Sequence, residues 1–529
     1  MEINKLYNYW FKHVSQKEEL KQMSPSERMV AFSEKLNFGT AGVRAKMGLG
    51  SSYLNEYTIA QITEAVASCM PAKKIAISFD TRKNSGKFAK IAASILANHG
   101  IKVVLADAMP TPFLSFMVRF YRCDGGIMIT ASHNTKEYNG YKVYDNTGCQ
   151  ILPKLADKIA EKLDEIDCFE ISYPPFSELE KVGLITPVGQ DALESFFTEI
   201  EAQSKNKIEN INVVYSSLNG TGINVIPEIL KRNNVNVILN KVQCAPDPEF
   251  STCPSPNPEK EEVFTYSRTL GLQACADLIL CTDPDCDRLG VEVLHNGSYH
   301  HLTGNEVGVL LTHLLAKQKK KGYIMRSIVS SPLADKVAKK FGVETKVCLT
   351  GFKYIGEFLN ELEKKKQTQK FVLGFEESCG YLAGNYARDK DAAIASLLIC
   401  ECASECKKQR KTLVDLLNEI YDEFGHYNHK TLSLKISTES TMDSVMDNIR
   451  SNLTQLNGLN INKKIDYNAD ETELPKTNMI EFILENNINV ILRPSGTEPV
   501  IKAYITTISP NTTSLLNVAQ DLTNKIKLM

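Results

Sequence analysis

Residues 74–107 read KIAISFDTRKNSGKFAKIAASILANHGIKVVLAD, and this stretch predicts the fold class. It starts with KIAISFD, a short apolar run whose length and composition favour a buried strand. A polar turn, TRKNSGK, leads to FAKIAASILANHG, whose apolar residues recur at the spacing of one helix face. A second apolar run, IKVVLAD, follows directly. The stretch therefore predicts a strand–helix–strand unit, the building block of an α/β domain.

The same pattern returns twice further along the chain. It is found at 210–241, where NINVVYSS leads through a helical segment to VNVILNK, and at 322–351, between GYIMRSIVSS and VETKVCLTG. The last part differs, because the strand patterns at 431–437 and 489–507 surround one helix and precede another. We therefore predict three related α/β domains with mixed sheets and a smaller C-terminal α+β domain. The predicted domains are 1–190, 191–303, 304–425 and 426–529.

The composition argues against several classes of protein. Among 529 residues, 61 Lys and Arg oppose 63 Asp and Glu, and this near balance disfavours nucleic acid or an anionic membrane as the main partner. The N-terminal segment lacks a signal-peptide pattern, and no apolar run is long enough to cross a membrane. The 14 cysteines are scattered without CxxC pairs, which is typical of reduced thiols. We therefore expect a cytoplasmic protein, and no obligate protein partner is evident.

Three carboxylates follow a predicted strand in LILCTDPDCDRLG, residues 278–290. Asp283, Asp285 and Asp287 alternate along the loop, and this concentration of negative charge is costly unless a cation offsets it. The loop does not match an EF-hand, because Arg288 and Leu294 occupy the positions of the turn glycine and the bidentate glutamate. Three protein ligands leave room for water and a phosphate oxygen, as is usual for Mg²⁺ at phosphoryl-transfer sites. The loop therefore predicts a site for a divalent metal ion.

Other polar loops offer groups that suit a phosphorylated sugar. RPSGTEP (493–499) supplies a guanidinium, hydroxyls and backbone N–H groups for phosphate oxygens, although the pattern is also an ordinary turn signal. GFEESCG (374–380) combines carboxylates and a hydroxyl, which suit sugar hydroxyls but are also common on surfaces. FGTAGVR (38–44) and RDKDA (388–392) concentrate charge that is either functional or structural. Taken singly, none of these loops decides the function.

The segment TASHN, residues 130–134, places a serine at the end of the apolar run GGIMIT. His133 is adjacent to Ser132, so we expect its ring to have difficulty bending back to act as the base of that serine. No nucleophile-elbow pattern surrounds the serine either, which argues against a hydrolase triad. With a metal loop and a phosphate loop elsewhere in the chain, Ser132 is best interpreted as a phosphoryl carrier.

In this order, TASHN, DPDCDR, GFEES and RPSGTEP resemble the motifs of the α-D-phosphohexomutase family, from about Phe38 to Tyr504. The resemblance implies four domains around a central cleft and a Mg²⁺-dependent mutase acting on a small sugar phosphate. GFEES followed by GY, and DPD rather than DGD, are similar to the phosphoglucomutase and phosphopentomutase branch. Tyr381 stands where some relatives have a histidine, which favours Lys390 or Lys142 as the acid–base group.

The resemblance also implies a role for each candidate site residue. Ser132 would carry the transferable phosphate and, with Asp283, Asp285 and Asp287, would bind Mg²⁺. Arg288 would lie near the phosphoserine. The groups expected around the transferring phosphate are Arg44, His133, Lys142 and Lys390. Glu376 and Ser378 would hold sugar hydroxyls, and the grip on the non-reacting phosphate would come from Arg493, Ser495, Gly496 and Thr497.

The reaction implied by the resemblance interconverts glucose 1-phosphate and glucose 6-phosphate through glucose 1,6-bisphosphate, which also primes the enzyme. A phosphopentomutase or a phosphomannomutase with the same mechanism is the alternative. A dehalogenase-like phosphatase, with Asp283 as nucleophile and Asp285 as acid–base, would leave TASHN and RPSGTEP without roles. A non-catalytic sugar-phosphate-binding regulator is disfavoured because the serine and all three aspartates are present.

Overall fold

A computed structural model describes residues 2–39, 42–436, 441–495 and 500–527. The first domain is built on a six-stranded mixed sheet in the order β1-β5-β4-β2-β3-β6. β2, β3, β4 and β6 are parallel, and β5 and β1 add antiparallel to one edge. Its strands are β1 (Gly42–Lys46), β2 (Lys74–Phe79), β3 (Lys102–Ala108), β4 (Gly125–Ile129), β5 (Tyr138–Asp145) and β6 (Ile185–Pro187). Its helices are α1 (Glu2–His13), α2 (Lys17–Gln22), α3 (Pro25–Phe32), α4 (Glu56–Cys69), α5 (Ser85–Asn98), α6 (Thr111–Phe120), α7 (Pro153–Glu165) and α8 (Phe176–Lys181).

The second domain contains a five-stranded mixed sheet in the order β11-β10-β9-β7-β8. Its parallel strands are β7, β8 and β9, and the antiparallel strands β10 and β11 follow the metal loop. The strands are β7 (Asn212–Ser216), β8 (Asn236–Leu239), β9 (Leu278–Thr282), β10 (Leu289–His295) and β11 (Ser298–Leu302). The helices are α9 (Gln190–Glu201), α10 (Ile226–Arg232), α11 (Lys241–Cys244) and α12 (Thr265–Ala274), with 3-10 turns at Thr221–Asn224 and Glu261–Phe264.

The third domain has a four-stranded mixed sheet in the order β13-β12-β14-β15, with only β15 antiparallel. Its first helix begins with a reciprocal capping box between Thr303 and Glu306, which satisfies two of the exposed N–H groups at the helix start. The strands are β12 (Tyr323–Ser327), β13 (Glu344–Cys348), β14 (Phe371–Glu376) and β15 (Gly380–Leu382). The helices are α13 (Gly304–Lys319), α14 (Leu333–Lys340), α15 (Lys353–Lys364), α16 (Ala392–Lys408) and α17 (Leu413–Phe424), with a 3-10 turn at Thr368–Lys370.

The fourth domain is an antiparallel sheet in the order β16-β21-β20-β19-β18-β17, covered by two helices. The strands are β16 (Tyr427–Lys435), β17 (Gln455–Leu456), β18 (Leu459–Asp466), β19 (Ile480–Leu484), β20 (Asn489–Pro494) and β21 (Val500–Ile508). The helices are α18 (Met442–Asn452) and α19 (Thr513–Lys527), with a 3-10 turn at Glu485–Asn487. The predicted fold class, three mixed-sheet α/β domains and a smaller α+β domain, is confirmed, whereas the exact boundaries near 190, 303 and 425 stay predictions.

One hydrophobic core runs through the first three domains, and α16 lies within it. Of its 17 residues, 14 are buried, so this helix is apolar nearly all round, as expected for a helix packed on every side. The fourth domain has a separate core. A small cluster joins it to the third domain, with Val329 and Leu349 on one side and Tyr467, Met479, Ile491 and Tyr504 on the other. In the part of the chain that the structure describes, no helix is long and apolar enough to cross a membrane.

Candidate active site

Ser132 lies just beyond the carboxyl end of β4, one of the central parallel strands of the first sheet. Its backbone adopts the left-handed conformation, with φ at 52°, which is uncommon for a residue that is not glycine. The Ser132 N–H donates to Thr130 Oγ1 at 2.8 Å, and the side chain is 3% exposed. The turn is therefore held in an unusual conformation at a buried position, a feature that clusters at functional sites.

A buried arginine that the sequence analysis did not single out holds this serine loop in place. Arg82 follows β2 and donates through its guanidinium to the carbonyls of Ser132, Asn134, Thr135 and Tyr138. Its Nε donates to Asp80 Oδ2 at 3.1 Å, and both side chains are fully buried. Because β2 and β4 are parallel neighbours, their carboxyl ends meet at one sheet edge. The signal that could have found Arg82 was therefore its place directly after a predicted strand.

The loop after β9 brings Asp283 into direct contact with the serine. Ser132 Oγ donates to Asp283 Oδ2 at 2.8 Å, although 151 residues separate the two in sequence. The other oxygen, Oδ1, accepts the backbone N–H groups of Asp287 and Arg288 at 3.1 and 2.9 Å. Both carboxylate oxygens of Asp283 are thus engaged, which disfavours it as the free nucleophile of a phosphatase. Burial, together with the charges of Asp285 and Asp287, raises the pKa of Asp283.

The three aspartates form a cluster suited to a cation. Asp283, Asp285 and Asp287 are each at most 1% exposed, and one oxygen from each lies within 4.8 Å of the others. Asp285 Oδ1 and Asp287 Oδ1 are buried and have no hydrogen-bond partner. Buried carboxylate oxygens without partners are costly, and oxygen-rich cages are what hard divalent cations prefer. The donor set therefore fits a divalent metal ion, as predicted.

Two lysines lie against the same aspartates. Lys142 Nζ is 2.8 Å from Asp285 Oδ2 and 3.7 Å from Asp287 Oδ2. Lys390 Nζ is 3.0 Å from both Asp287 Oδ2 and Asp389 Oδ1. Burial disfavours the charge on either lysine, but the neighbouring carboxylates outweigh it and raise both pKa values. The two ammonium groups are therefore held as cations and offset part of the negative charge of the three aspartates and Asp389.

Thr111 is another residue of the cluster that the sequence analysis did not single out. Its hydroxyl donates to Asp285 Oδ2 at 2.9 Å, and its N–H donates to the Asp285 carbonyl at 2.9 Å. Burial opposes ionisation of Asp285, but Lys142 and the side-chain hydrogen bonds, including that of the Thr111 hydroxyl, hold its pKa below the usual range. The start of α6 in the first domain thus fixes the metal loop of the second.

His133 contradicts one expectation. Its Nδ1 lies 3.2 Å from Ser132 Oγ, so the expected difficulty in bending back was wrong. The left-handed backbone at Ser132 turns the chain sharply enough for the adjacent side chains to converge. Burial and the charges of Arg288 and Arg44 lower the pKa of His133, which favours a neutral ring.

The two predicted arginines lie at the edge of this cluster. Arg44, on β1, donates to Asn134 Oδ1 at 2.8 Å and so contacts the serine loop. Arg288 donates from NH1 to Glu259 Oε1 at 2.5 Å, while its Nε lies 3.9 Å from Asp287 Oδ1. Arg288 is therefore the last residue of the metal loop, and its guanidinium is paired with a glutamate of the same domain.

The GFEESCG segment (374–380) begins in the last residues of β14 and contacts the metal loop through a β-bridge between Arg288 and Gly380. Glu376 is 5% exposed and accepts the Gly351 N–H at 2.7 Å. Burial raises the pKa of Glu376, while Lys390 opposes the shift. Ser378 is half-buried in the same turn. Tyr381 points elsewhere, since its hydroxyl donates to the Gly304 carbonyl at 3.2 Å.

The phosphate-loop residues lie on the fourth domain. Arg493 is the last residue but one of β20 and lies beside Tyr504, and the Ser495 N–H donates to the Val500 carbonyl at 2.9 Å. Within the described segments, no hydrogen bond or ion pair joins Arg493 to the aspartate cluster. Gly496 and Thr497 lie outside the described residues.

Comparison with known proteins places these loops in a family. Models for phosphoglucomutase/phosphomannomutase α/β/α domains I, II and III match residues 35–169, 192–296 and 303–424. A phosphoglucomutase of Staphylococcus aureus is 36% identical over 521 residues, covering 93% of this chain and 93% of the relative. The chain belongs to the α-D-phosphohexomutase family. As a phosphohexomutase family member it is an enzyme of the mutase class, as predicted.

Solved structures of other phosphohexomutases share the same fold. A phosphoglucomutase/phosphomannomutase family protein of Burkholderia thailandensis superimposes with a TM-score of 0.70 at 16% identity, covering 92% of this chain and 96% of that one. The open form of parafusin, a phosphoglucomutase of Paramecium, gives a TM-score of 0.65 at 17% identity, covering 93% and 95%. These likenesses extend over all four domains.

Proposed function

We propose that this phosphohexomutase interconverts glucose 1-phosphate and glucose 6-phosphate, with Ser132 as the phosphoryl carrier. The observation that carries the proposal is the 2.8 Å contact between Ser132 Oγ and Asp283 in a buried cluster of carboxylates and lysines. A serine in that setting lies beside carboxylates that fit a metal ion, and these carboxylates pair with lysines whose charge would stabilise a transferring phosphoryl group. The similarity to staphylococcal phosphoglucomutases over most of both chains supports glucose as the sugar.

The metal of the proposal is Mg²⁺, held by Asp283, Asp285, Asp287 and the phosphorylated Ser132. The orphaned oxygens Asp285 Oδ1 and Asp287 Oδ1 support this assignment. When bound, Mg²⁺ would neutralise charge that develops on the transferring phosphoryl oxygens.

Residues of the chain itself would transfer the phosphoryl group, orient its oxygens and handle the proton. Phospho-Ser132 gives its phosphoryl group to the free hydroxyl of glucose 1-phosphate, and the resulting bisphosphate turns over and returns its other phosphate to the serine. Lys142 and Lys390, held as cations, would orient the phosphoryl oxygens, and their raised pKa values suit an electrostatic or acid role. His133 Nδ1 and Asp283 both lie within hydrogen-bond distance of Ser132 Oγ, where a proton must be handled.

Binding of the sugar and of its non-reacting phosphate is assigned to the other loops. Glu376 and Ser378 would hold sugar hydroxyls, with Arg288 and Arg44 close to the reacting phosphate. Arg493, Ser495, Gly496 and Thr497 would grip the non-reacting phosphate. The loop must accept either end of the bisphosphate, and its donors suit phosphate oxygens of either ester. Glucose 1,6-bisphosphate would prime Ser132.

A phosphate-labelling experiment tests the carrier role. Incubation with glucose 1,6-bisphosphate should place an acid-stable phosphate on the peptide that contains TASHN, and glucose 1-phosphate should remove it. Ser132→Ala should bind sugar phosphate but lose nearly all turnover, because no neighbouring side chain can carry the group at that place. Ser177→Ala, on the exposed face of α8, is the matched control and should be labelled normally. Wild-type turnover in Ser132→Ala, or label found only on an aspartate, would refute the proposal.

Initial rates with glucose, mannose and ribose 1-phosphates would decide the sugar. A preference for ribose or mannose 1-phosphate would leave the mechanism intact and change the substrate. A cytoplasmic location is part of the same proposal, since all 14 cysteines are free thiols, as suits a reducing compartment. Cell fractionation checks that location.

A further inference from the structure

Glu377 lies between the two proposed sugar-binding residues, yet its carboxylate is committed to the protein. Glu377 Oε2 accepts hydrogen bonds from Ser327 Oγ at 2.9 Å and from Ser330 Oγ at 3.1 Å. Its own N–H donates to Ser330 Oγ at 3.0 Å. The two serines are at most 2% exposed and lie 2.8 Å apart at Oγ. Glu377, the fourth residue of GFEES, is therefore bound to a second loop.

The second loop, residues 327–331 after β12, is fixed from its other side. Arg326 donates to the carbonyls of Ser327 and Ser330 at 3.2 Å each, and pairs with Asp335 through two hydrogen bonds of 2.7 and 2.6 Å. The Ser331 N–H donates to Asn305 Oδ1 at 2.7 Å, which ties the loop to α13. A loop held this firmly can serve as a rigid anchor for GFEES.

The same loop borders the fourth domain. Val329 and Ser330 line a cavity of about 380 Å³ whose opposite wall includes Ile491 and Tyr504. Tyr504 lies within electrostatic range of both Glu377 and Arg493. The proposed sugar loop is therefore bound to residues 327–331, and Val329 of that loop packs in one cluster with Ile491 and Tyr504 of the domain that carries the proposed phosphate loop.

We propose that Glu377 is a positioning residue. It anchors the proposed sugar-binding side chains of Glu376 and Ser378 against residues 327–331, and this contact sets the distance of those side chains from the fourth domain. The inference rests on the proposed function, because it assigns how the sugar site of that reaction is held. Glu377 itself touches no reacting atom. Its ionised form accepts charge-assisted hydrogen bonds, which are stronger than neutral ones, so the anchoring weakens when the carboxyl group is protonated.

The titration of Glu377 falls in an accessible range. Burial and the adjacent Glu376 raise the pKa of Glu377 to about 7, while its backbone hydrogen bond and Ser327 oppose the shift. The charged or titratable groups facing it are Glu376 and Cys379 on its own loop, Glu259 in the second domain, Arg326 on β12, Cys348 on β13 and Tyr504 on β21. KM for the sugar phosphate is therefore expected to rise as pH falls through about 7.

The decisive measurement is the pH profile of KM and kcat for glucose 1-phosphate. Glu377→Gln should raise KM about tenfold at pH 8, change kcat little, and remove the inflection near pH 7. Ser327→Ala keeps the carboxyl group but removes a donor to its charged form, so the inflection should move to higher pH. The substrate phosphate also titrates near pH 6. That transition is common to all variants and cancels in the comparison with wild type.

Ser331→Ala is the matched control, because Ser331 Oγ accepts the Leu333 N–H and does not touch Glu377. It should leave the inflection in place. An unchanged inflection in Glu377→Gln, or a loss confined to kcat, would overturn the inference. If Glu377→Gln fails to fold, the test rests on Ser327→Ala. In that case, an inflection of the KM profile at the same pH as in wild type would overturn the inference. These outcomes differ from failure of the proposed function, in which the wild-type protein itself would not turn over glucose 1-phosphate.

Discussion

Arg82 illustrates how one buried side chain can fix a reactive loop. Its guanidinium reaches four carbonyls of residues 132–138 while Asp80 balances its charge. A lysine would keep the charge but could not reproduce this planar fork of donors. Arg82→Lys should therefore lower turnover about a hundredfold, since a small displacement of Ser132 Oγ, the proposed carrier oxygen, is costly. It should also lower stability by about 3 kcal/mol, because carbonyls would be left buried without partners.

The measurements for Arg82 are steady-state turnover and thermal unfolding. Arg122→Lys serves as the control, because Arg122 is exposed in the same domain and should tolerate the change. Turnover and melting temperature equal to wild type in Arg82→Lys would show that the clamp is dispensable.

At the residue scale, sequence found the groups whose chemistry is recognisable in a short motif. Ser132 and the three aspartates belong to this class, and the structure brings them together. Arg82 and Thr111 were missed because their importance comes from contact between domains or between neighbouring strands, which no local pattern encodes. The reach of His133 was missed for a different reason: it depends on a left-handed φ at Ser132.

At the scale of single elements, we expect the loop between β9 and β10 to bind a divalent metal ion and so to stabilise the protein. A ligand that binds the native state alone stabilises it, so millimolar Mg²⁺ should raise the melting temperature of the wild-type protein. Asp285→Asn should abolish that rise and lower turnover by at least about a hundredfold, because it removes charge from the donor set. Asp247→Asn, on an exposed loop of the same domain, is the control. A full Mg²⁺-dependent rise in Asp285→Asn would contradict the metal assignment.

Helix α16 provides a prediction about pH. Its N-cap Asp391 is fully buried, accepts the Ala393 N–H at 2.7 Å, and has a pKa raised to about 6 by burial. Because the folded state raises this pKa, the protonated Asp391 carboxyl group stabilises the protein. This stabilisation is complete at pH values below the unfolded-state pKa of about 4, and it is lost as pH rises through about 6. Asp391→Asn keeps a good cap and cannot ionise, so it should be more stable than wild type at pH 8, by up to about 3 kcal/mol.

The free energy of unfolding, measured at pH 5 and pH 8, checks this prediction. The excess stability of Asp391→Asn over wild type should be larger at pH 8 than at pH 5. Asp422→Asn, on the exposed face of α17, should show no such growth. A larger advantage of Asp391→Asn at pH 5 than at pH 8 would reverse the sign and refute the argument.

Hydrophobic periodicity in the sequence predicted the helices and strands that bury one continuous face. The helix expected from Phe88 begins at Ser85 instead, because Asn84 adopts a left-handed φ of 65° and turns the chain into the helix earlier. The antiparallel strands β1 and β5 gave no clear signal, since both alternate apolar residues with candidate site residues such as Arg44 and Lys142. The candidate site residues thus obscured the strands that carry them.

On the scale of the whole molecule, the fourth domain has its own core and meets the third through a small cluster and through Tyr427 of β16, which packs into the core of the first three domains. Thermal unfolding should therefore show a separate transition for this domain. Leu522→Ala, at a fully buried position of α19, should cost about 3 kcal/mol and lower that transition by about 10 °C or more. The larger transition of the other three domains should stay unchanged.

Calorimetry of the full chain makes this test. Leu310→Ala, equally buried in α13, is the reciprocal control and should shift only the larger transition. A single transition that moves as a unit in both variants would mean that the four domains unfold together.

The pairing of Lys142 and Lys390 with the aspartate cluster has a consequence for how the enzyme is made. With two ammonium groups already in place, we expect the loop to become compact during synthesis without an ion. A newly translated chain can thus reach its final shape first and acquire the ion afterwards from whatever supply surrounds it. Activity would then follow the availability of that ion from minute to minute, while the amount of folded protein would not.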